Sequence, residues 1–322
     1  MKALLKKFEG KRILVIGDLM LDQYTWGDAR RISPEAPVPV VNVSQESHVA
    51  GGAANVALNL KSLGAEVEVC GWIGRDMAGS QLVELLVSAG IVLNPRFHEE
   101  GRTTILKTRV MVRNQQLCRL DREGSPDEYA FATDVIEAII QRAESFDAVI
   151  LSDYGKGALS GQLVDALADA RREGSPILAM DPKPRRKIAH RNLDLLTPNR
   201  SEALQMAGLE PVPGEPFPAE EVCRRIHEEF RPKYLVVTLG AEGMLVGCDG
   251  EVALTIPTMA REVFDVSGAG DTVVAALTMG LVTGVSIDKA ARFANLAAGI
   301  VVGKVGTAPV QTRELLELRE EL

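Results

Sequence analysis

Arg12-Ile13-Leu14-Val15-Ile16-Gly17-Asp18 decides how this chain is read. The run is short, rich in β-branched residues and apolar without alternation. That is the pattern of a strand buried on both faces, as in a parallel sheet, rather than of one with a wet side. Gly17 stops it, and Asp18 stands where the strand gives way to a loop.

Working outward, residues 52–63 carry small and apolar side chains at helical spacing. Residues 67–74 read as a second strand and 76–89 as a helix. Strand-like runs return at 148–153, 177–181, 193–197 and 234–239, with helical patterns at 132–145, 160–173, 201–207 and 218–230. Such alternation predicts the α/β class, with a mostly parallel, doubly wound sheet flanked by helices. The last third is helical, over 271–283 and 286–302, with a short charged helix N-capped by Thr312.

Two stretches break the rhythm. Residues 19–47 hold short β-prone runs among Pro34, Pro37 and Pro39. Residues 96–125 contain two alternating runs, 104–113 and 117–123, with a hairpin turn at 114–116. They read as a small antiparallel β lid projecting from one main domain, or else as two ordinary surface excursions.

Composition narrows the class. The 322 residues are 46% hydrophobic and 25% charged, which suits a globular chain with a sizeable core. A net charge of -8 argues against a nucleic-acid partner, which normally meets a basic field. Cys70, Cys118, Cys223 and Cys248 form no CxxC pair and no zinc-like spacing with His, so reduced thiols are expected. No signal peptide is seen and no apolar run reaches the roughly 18 residues of a membrane span, so a cytoplasmic location is expected, with no membrane partner.

The chemistry concentrates at three places. Val263–Thr272 (VFDVSGAGDT) sets Gly268, Ala269 and Gly270 just before a helix. Backbone N–H groups at such a turn approach an anion closely, and the helix dipole assists. A carboxylate there, Asp271, is electrostatically costly unless it accepts a proton from a hydroxyl while the amides hold developing phosphoryl charge. The plain alternative is a glycine turn with Asp271 as N-cap. The segment is neither a dinucleotide-binding fingerprint nor a P-loop. Gly51-Gly52-Ala53-Ala54-Asn55 opens a helix where a ligand can press on backbone, although tight helix packing gives the same pattern. Finally Asp18, Asp153 to Lys156, Asp181 to Lys183, Asn199 and Thr238 to Gly240 all end strands. Ligands of parallel sheets gather beyond those ends.

These residues carry a resemblance. The chain resembles the ribokinase-like (PfkB-type) carbohydrate kinases over almost its whole length. Gly51–Asn55 is similar to that family's sugar-binding glycine pair, and Asp265 with Gly268–Asp271 to its C-terminal signature. Asn199-Arg200-Ser201-Glu202 is similar to its NxxE element, and Thr238–Gly243 to its TxGxxG nucleotide element. More narrowly, 17–22, 31–40, 152–157 and 181–183 look like the D-glycero-β-D-manno-heptose 7-phosphate kinases. That kinase is often fused to an adenylyltransferase. This sequence has no HxGH motif, so the free-standing form without that domain is expected.

The resemblance implies a fold, a reaction and roles. The fold is ribokinase-like. The reaction is phosphoryl transfer from ATP to the anomeric hydroxyl of heptose 7-phosphate, in ADP-heptose synthesis for the lipopolysaccharide core. Asp271 is implied as general base, with Gly268, Ala269 and Gly270 as the anion-holding turn. Asp18, Gly51, Gly52, Asn55 and Asp153 are implied to bind sugar hydroxyls. Lys107, Arg109 and Lys156 are assigned to the 7-phosphate, and Lys107, Arg109 and Arg113 share one strand face by their even spacing. Lys183, Asn199, Thr238, Gly240, Gly243 and Asn295 are implied to meet the nucleotide. Glu202 and Asn199 would hold Mg²⁺ through its water shell, since magnesium keeps several waters. A monovalent cation near Asp265 and a homodimer formed through the lid are further implications. The competing readings are a related kinase of another sugar or sugar phosphate, and a non-catalytic sugar-phosphate or nucleotide sensor.

Overall fold

A computed structural model describes residues 1–113, 115–184, 191–260, 263–304 and 306–317. Its centre is a nine-stranded sheet. From one edge the strands run Glu251–Ile256, Met244–Cys248, Tyr234–Thr238, Leu195–Leu196, Ile177–Asp181, Ala148–Ser152, Arg12–Gly17, Glu66–Cys70 and Val92–Leu93. All neighbours pair in parallel from Tyr234–Thr238 to Val92–Leu93, and the two strands beyond Tyr234–Thr238 are antiparallel.

The opening strand shows why the sheet is buried on both sides. Ile13 and Val15 enter one apolar core, Leu14 and Ile16 the other. Side chains alternate across a strand, so a run without polar residues needs cover on each face. The first core is closed by helices Ala53–Ser62, Met77–Ser88, Ala269–Val282 and Ile287–Val301. The second is closed by Thr133–Ala143, Gly161–Asp169, Arg200–Met206 and Ala219–Phe230. The α/β, doubly wound architecture expected from the sequence is therefore present.

A four-stranded second sheet has the order Pro39–Gly52, Leu19–Ile32, Ile105–Val112, Gln115–Arg122. It joins the two stretches that broke the αβ rhythm. Its outer pairs are antiparallel, and its central pair, Leu19–Ile32 with Ile105–Val112, is parallel. In that register Asp22 faces Lys107 and Tyr24 faces Arg109. Asn114, expected in the hairpin turn, lies outside the described residues, as does the end of the charged tail beyond Glu317.

Three local expectations are corrected. The run 67–74 is not one strand: Glu66–Cys70 joins the large sheet, while Ile73–Gly74 pairs with His98–Glu99. The helix expected from 271 starts at Ala269, because Gly268, at φ 78°, supplies the left-handed turn that ends the loop. Thr312 is the first helical residue rather than a cap, and its hydroxyl donates to the Ser62 carbonyl at 2.9 Å.

Candidate active site

Register places the site. Gly17, Ser152 and Asp181 stand in one row across three neighbouring strands. The residues that follow, Asp18 and Asp153, therefore emerge side by side at the carboxyl edge. The Asp18 carboxylate accepts from the backbone N–H groups of Tyr154 at 3.0 Å, Lys156 at 2.9 Å and Ala158 at 2.9 Å. Asp153 accepts from the N–H groups of Gly155 at 2.7 Å and Lys183 at 3.3 Å. Both side chains are buried. They hold the loop 154–158 in place, a use of strand-end carboxylates that spacing alone did not reveal.

That loop delivers Tyr154 to Asp271. Asp271 is third in its helix, so the N-cap alternative does not hold. Its carboxylate accepts from the Tyr154 hydroxyl at 2.5 Å and from the Asn55 side-chain amide at 2.7 Å. Burial pushes its pKa up to about 6, against the lowering effect of those two donors. Asp22 adds to the rise and Lys107 opposes it. A carboxylate so poised is ionised at neutral pH and a competent proton acceptor.

The turn ahead of it fits an anion. The amides of a first helical turn have no intrahelical acceptor. Here the Ala269 N–H leans to the Val266 carbonyl at 3.3 Å, and Thr272 is the first whose N–H reaches back, to the Gly268 carbonyl at 3.1 Å. Gly268 permits this turn twice over. Its φ is positive, and a Cβ there would stand 2.6 Å from the Asn55 amide nitrogen. Gly268→Ala should lower kcat by about ten-fold or more by displacing Asn55 from Asp271, with little change in ATP affinity; steady-state kinetics checks this.

A cavity of about 260 Å³ opens beside Asp271. Tyr154, Asp181, Lys183, Asn199, Glu202 and Thr238 contribute to its walls. Asn199 and Glu202 form a capping box: Asn199 Oδ1 accepts from the Glu202 N–H at 3.0 Å, and Glu202 from the Asn199 N–H at 2.9 Å. The other Glu202 oxygen takes Lys183 Nζ at 2.5 Å. Asp181 is held well above the usual carboxylate range by burial first, then by Glu202 and Asp271, with Lys183 opposing. Among the described residues no group of three or more carboxylate, His or Cys side chains could hold a metal ion directly, so a divalent cation here would be met through its water shell, with Asp181 and Glu202 among the cavity walls.

On the other side of Asp271 lies the second sheet. Arg109 pairs with buried Asp22 at 2.6 Å and lies over the Tyr24 ring. Lys107 Nζ stands 5.6 Å from the centre of the Tyr154 ring, and burial lowers its pKa. None of the described carboxylates lies within ion-pair distance of it. Gly51 and Gly52 end the neighbouring strand; Gly52 has φ 58°. Arg113 lies exposed just past the strand's end, and Arg119, opposite Arg109 in register, is bidentate on Asp121. Lys156 is paired with Glu123 at 2.6 Å.

The structure thus gathers Asp271, Asn55, Lys183, Asn199, Glu202 and Thr238 about one cleft. Gly240 and Gly243 bend the chain just past Thr238, where the Leu239 N–H meets the Gly243 carbonyl at 2.8 Å. Asn295 is not among the cavity walls; its amide donates to the Pro257 carbonyl at 2.7 Å. Asp265 ties its loop to the N–H groups of Ser267 and Gly306. Sequence reading missed Tyr154 and Asp22 as site residues. Both stood inside quoted motifs, but their partners are distant in the chain.

Comparison with known proteins agrees. The model of the pfkB family of carbohydrate kinases matches residues 11–313. The bifunctional protein HldE of Magnetococcus marinus is 43% identical over 313 residues, covering 96% of this chain and 64% of that protein. HldE of Pseudomonas aeruginosa is 44% identical over 321 residues, covering 98% and 65%. The chain thus spans less than two thirds of the length of these relatives. Among solved structures, Arabidopsis thaliana ribokinase with ribose and ATP superposes with a TM-score of 0.74 at 22% identity, over 97% of this chain and 99% of that one. Escherichia coli phosphofructokinase-2 with potassium gives 0.75 at 18%, over 96% and 97%. These likenesses establish the ribokinase-like fold. With the family model matching nearly end to end, this chain belongs to the pfkB family of carbohydrate kinases and is a phosphotransferase with an alcohol group as acceptor.

Proposed function

We propose that this kinase transfers the γ-phosphoryl group of ATP to O1 of D-glycero-β-D-manno-heptose 7-phosphate. The observation that carries the substrate is Lys107, set on the second sheet near the base, partly desolvated and with no described carboxylate in ion-pair reach, beside Arg109, whose guanidinium Asp22 already holds. A neutral sugar does not repay the burial of such a cation, whereas a sugar phosphate does. The HldE relatives are named as bifunctional proteins and are longer than this chain, which suits a kinase joined in them to a second activity.

In this reading Asp271 takes the proton of the O1 hydroxyl. O1 forms the bond to the γ-phosphorus as the bond to ADP breaks. Asn55 holds the carboxylate in line, and the Gly268-Ala269-Gly270 turn steadies the transferring oxygens. Gly51, Gly52 and neighbouring backbone present the sugar, with Asp18 and Asp153 acting by fixing the adjoining loop. Glu202 and Asn199 would hold Mg²⁺, which supplies charge neutralisation at the nucleotide phosphates. Lys183 and Thr238 lie on the nucleotide side. A cytoplasmic site of action follows from the nucleotide and the sugar phosphate.

The second sheet leaves Ile32 63% and Leu120 61% exposed, and a second copy of this chain would cover them. Sedimentation should give a dimer at micromolar concentration; a monomer contradicts it. The substrate is tested by ³¹P NMR of the product. A new anomeric phosphate signal beside the retained 7-phosphate supports the reading, and phosphorylation at any other oxygen contradicts it.

A further inference from the structure

Asp271 has both carboxylate oxygens engaged by side chains of this chain. Asn55 comes from the helix Ala53–Ser62 and holds Oδ2. The other oxygen, Oδ1, accepts from the Tyr154 hydroxyl, and both Tyr154 and Asp271 line the cavity. The two donors differ in what fixes them. Asn55 is buried to 1% exposure, and a bulkier residue at 268 would collide with it. Tyr154 sits on a loop, hung from Asp18 by its backbone N–H, and its phenol tip alone meets the base.

A general base in a kinase faces a specific hazard. With ATP bound and no sugar, a water beside the carboxylate can lose its proton to it. The water oxygen then bonds to the γ-phosphorus, the bond to ADP breaks, and the products are ADP and inorganic phosphate. A hydroxyl already donating to the carboxylate lowers its basicity and fills the direction from which water would donate. A phenol does this without losing its own proton, because burial and the nearby Asp271 push its pKa well above 10.

We propose that the Tyr154 hydroxyl stands on Asp271 Oδ1 in place of the sugar's acceptor hydroxyl and blocks water activation until the sugar displaces it. Tyr154 is then a positioning residue. The inference rests on Asp271 being the proton acceptor, as in the proposed reaction, but not on the identity of the sugar. Displacement exchanges one hydroxyl donor for another, and this competition for Oδ1 weakens sugar binding. The ring need only swing within the cleft, where Lys107 flanks its face.

The test measures Mg²⁺-dependent ADP release for wild type, Tyr154→Phe and Tyr154→Phe/Asp271→Asn, with and without sugar phosphate. A hydrogen bond to a charged group is worth about 1.5–3 kcal/mol, so sugar-free hydrolysis by Tyr154→Phe should rise by about ten-fold or more. The double variant should fall back to the wild-type rate or below, showing that the gain runs through Asp271. With sugar, KM should fall while kcat stays within a few-fold. A merely structural role would instead raise KM and lower kcat together. Sugar-free hydrolysis that is unchanged, or undetectable in both proteins, overturns the inference, provided that ATP still raises the melting temperature of the variant. If the variant proves unfolded, Tyr154→Met, which fills space and offers no hydrogen-bond donor, takes its place under the same criteria. Lack of turnover with heptose phosphate in wild type would reject the substrate and leave this comparison intact.

Discussion

Asp271→Asn should lower kcat by about a thousand-fold while leaving ATP binding and the fold intact. Positioned general bases contribute roughly 10²–10⁴-fold, and this one is buried with its orientation fixed by Asn55. The same burial gives the pH dependence. With its pKa raised to about 6, Asp271 gains a proton as pH falls through that value, so kcat/KM should decline on the acid side with a midpoint near 6. The groups facing it are Tyr154, Asp22, Lys107 and Asp181. Linkage makes the stability run the opposite way. A folded pKa above the ordinary carboxylate value means that the ionised side chain opposes folding. That cost is absent below about pH 4, grows between pH 4 and 6, and is complete above 6, at about 3 kcal/mol. Asp271→Asn should therefore be at least as stable as wild type at pH 8 by urea denaturation. A variant that is both inactive and unstable would contradict the account of a costly, functional carboxylate.

Arg109→Ala should raise KM for the sugar phosphate by about 100-fold and also destabilise the protein. Its guanidinium satisfies Asp22, which is 4% exposed, and removing one partner of a buried pair leaves an uncompensated charge worth about 3–5 kcal/mol. The two effects separate in a double variant. Asp22→Asn/Arg109→Ala removes the stranded charge, so most of the stability should return while the sugar-phosphate KM stays high. ATP KM should move little in either protein. Recovery of both stability and KM would mean that Arg109 is only a partner for Asp22.

Much of this site was legible before any coordinates. The unbroken apolar run 13–17 points to a doubly covered parallel strand, because only two cores can accept Ile13 and Leu14 at once. The glycines of the GAG turn and of Gly51-Gly52 signalled close backbone approach, and both now border Asp271 or its neighbours. What stayed hidden depends on register and side-chain direction. Asp18 reads as a ligand for hydroxyls, and in the structure its carboxylate accepts from three N–H groups of the loop 154–158. Tyr154 carried no role because nothing local tells where a phenol tip 117 residues from its partner will point. Asn295 sits in a helix of small apolar residues, and its amide is spent on the Pro257 carbonyl. The parallel pairing of Leu19–Ile32 with Ile105–Val112 was likewise beyond reach, since two strands so far apart in the chain can meet in either sense. That pairing is what brings Lys107 toward the base and Arg109 to Asp22.

The central claim is the substrate, and one measurement meets it most directly. Mg²⁺-dependent ADP release would be compared for D-glycero-β-D-manno-heptose 7-phosphate, fructose 6-phosphate and ribose at equal concentrations. The account predicts that kcat/KM for the heptose phosphate exceeds both others by about 100-fold or more, and that the activity is lost in Asp271→Asn. Equal or better turnover of ribose would contradict it, for then Lys107 would have no anion to bind.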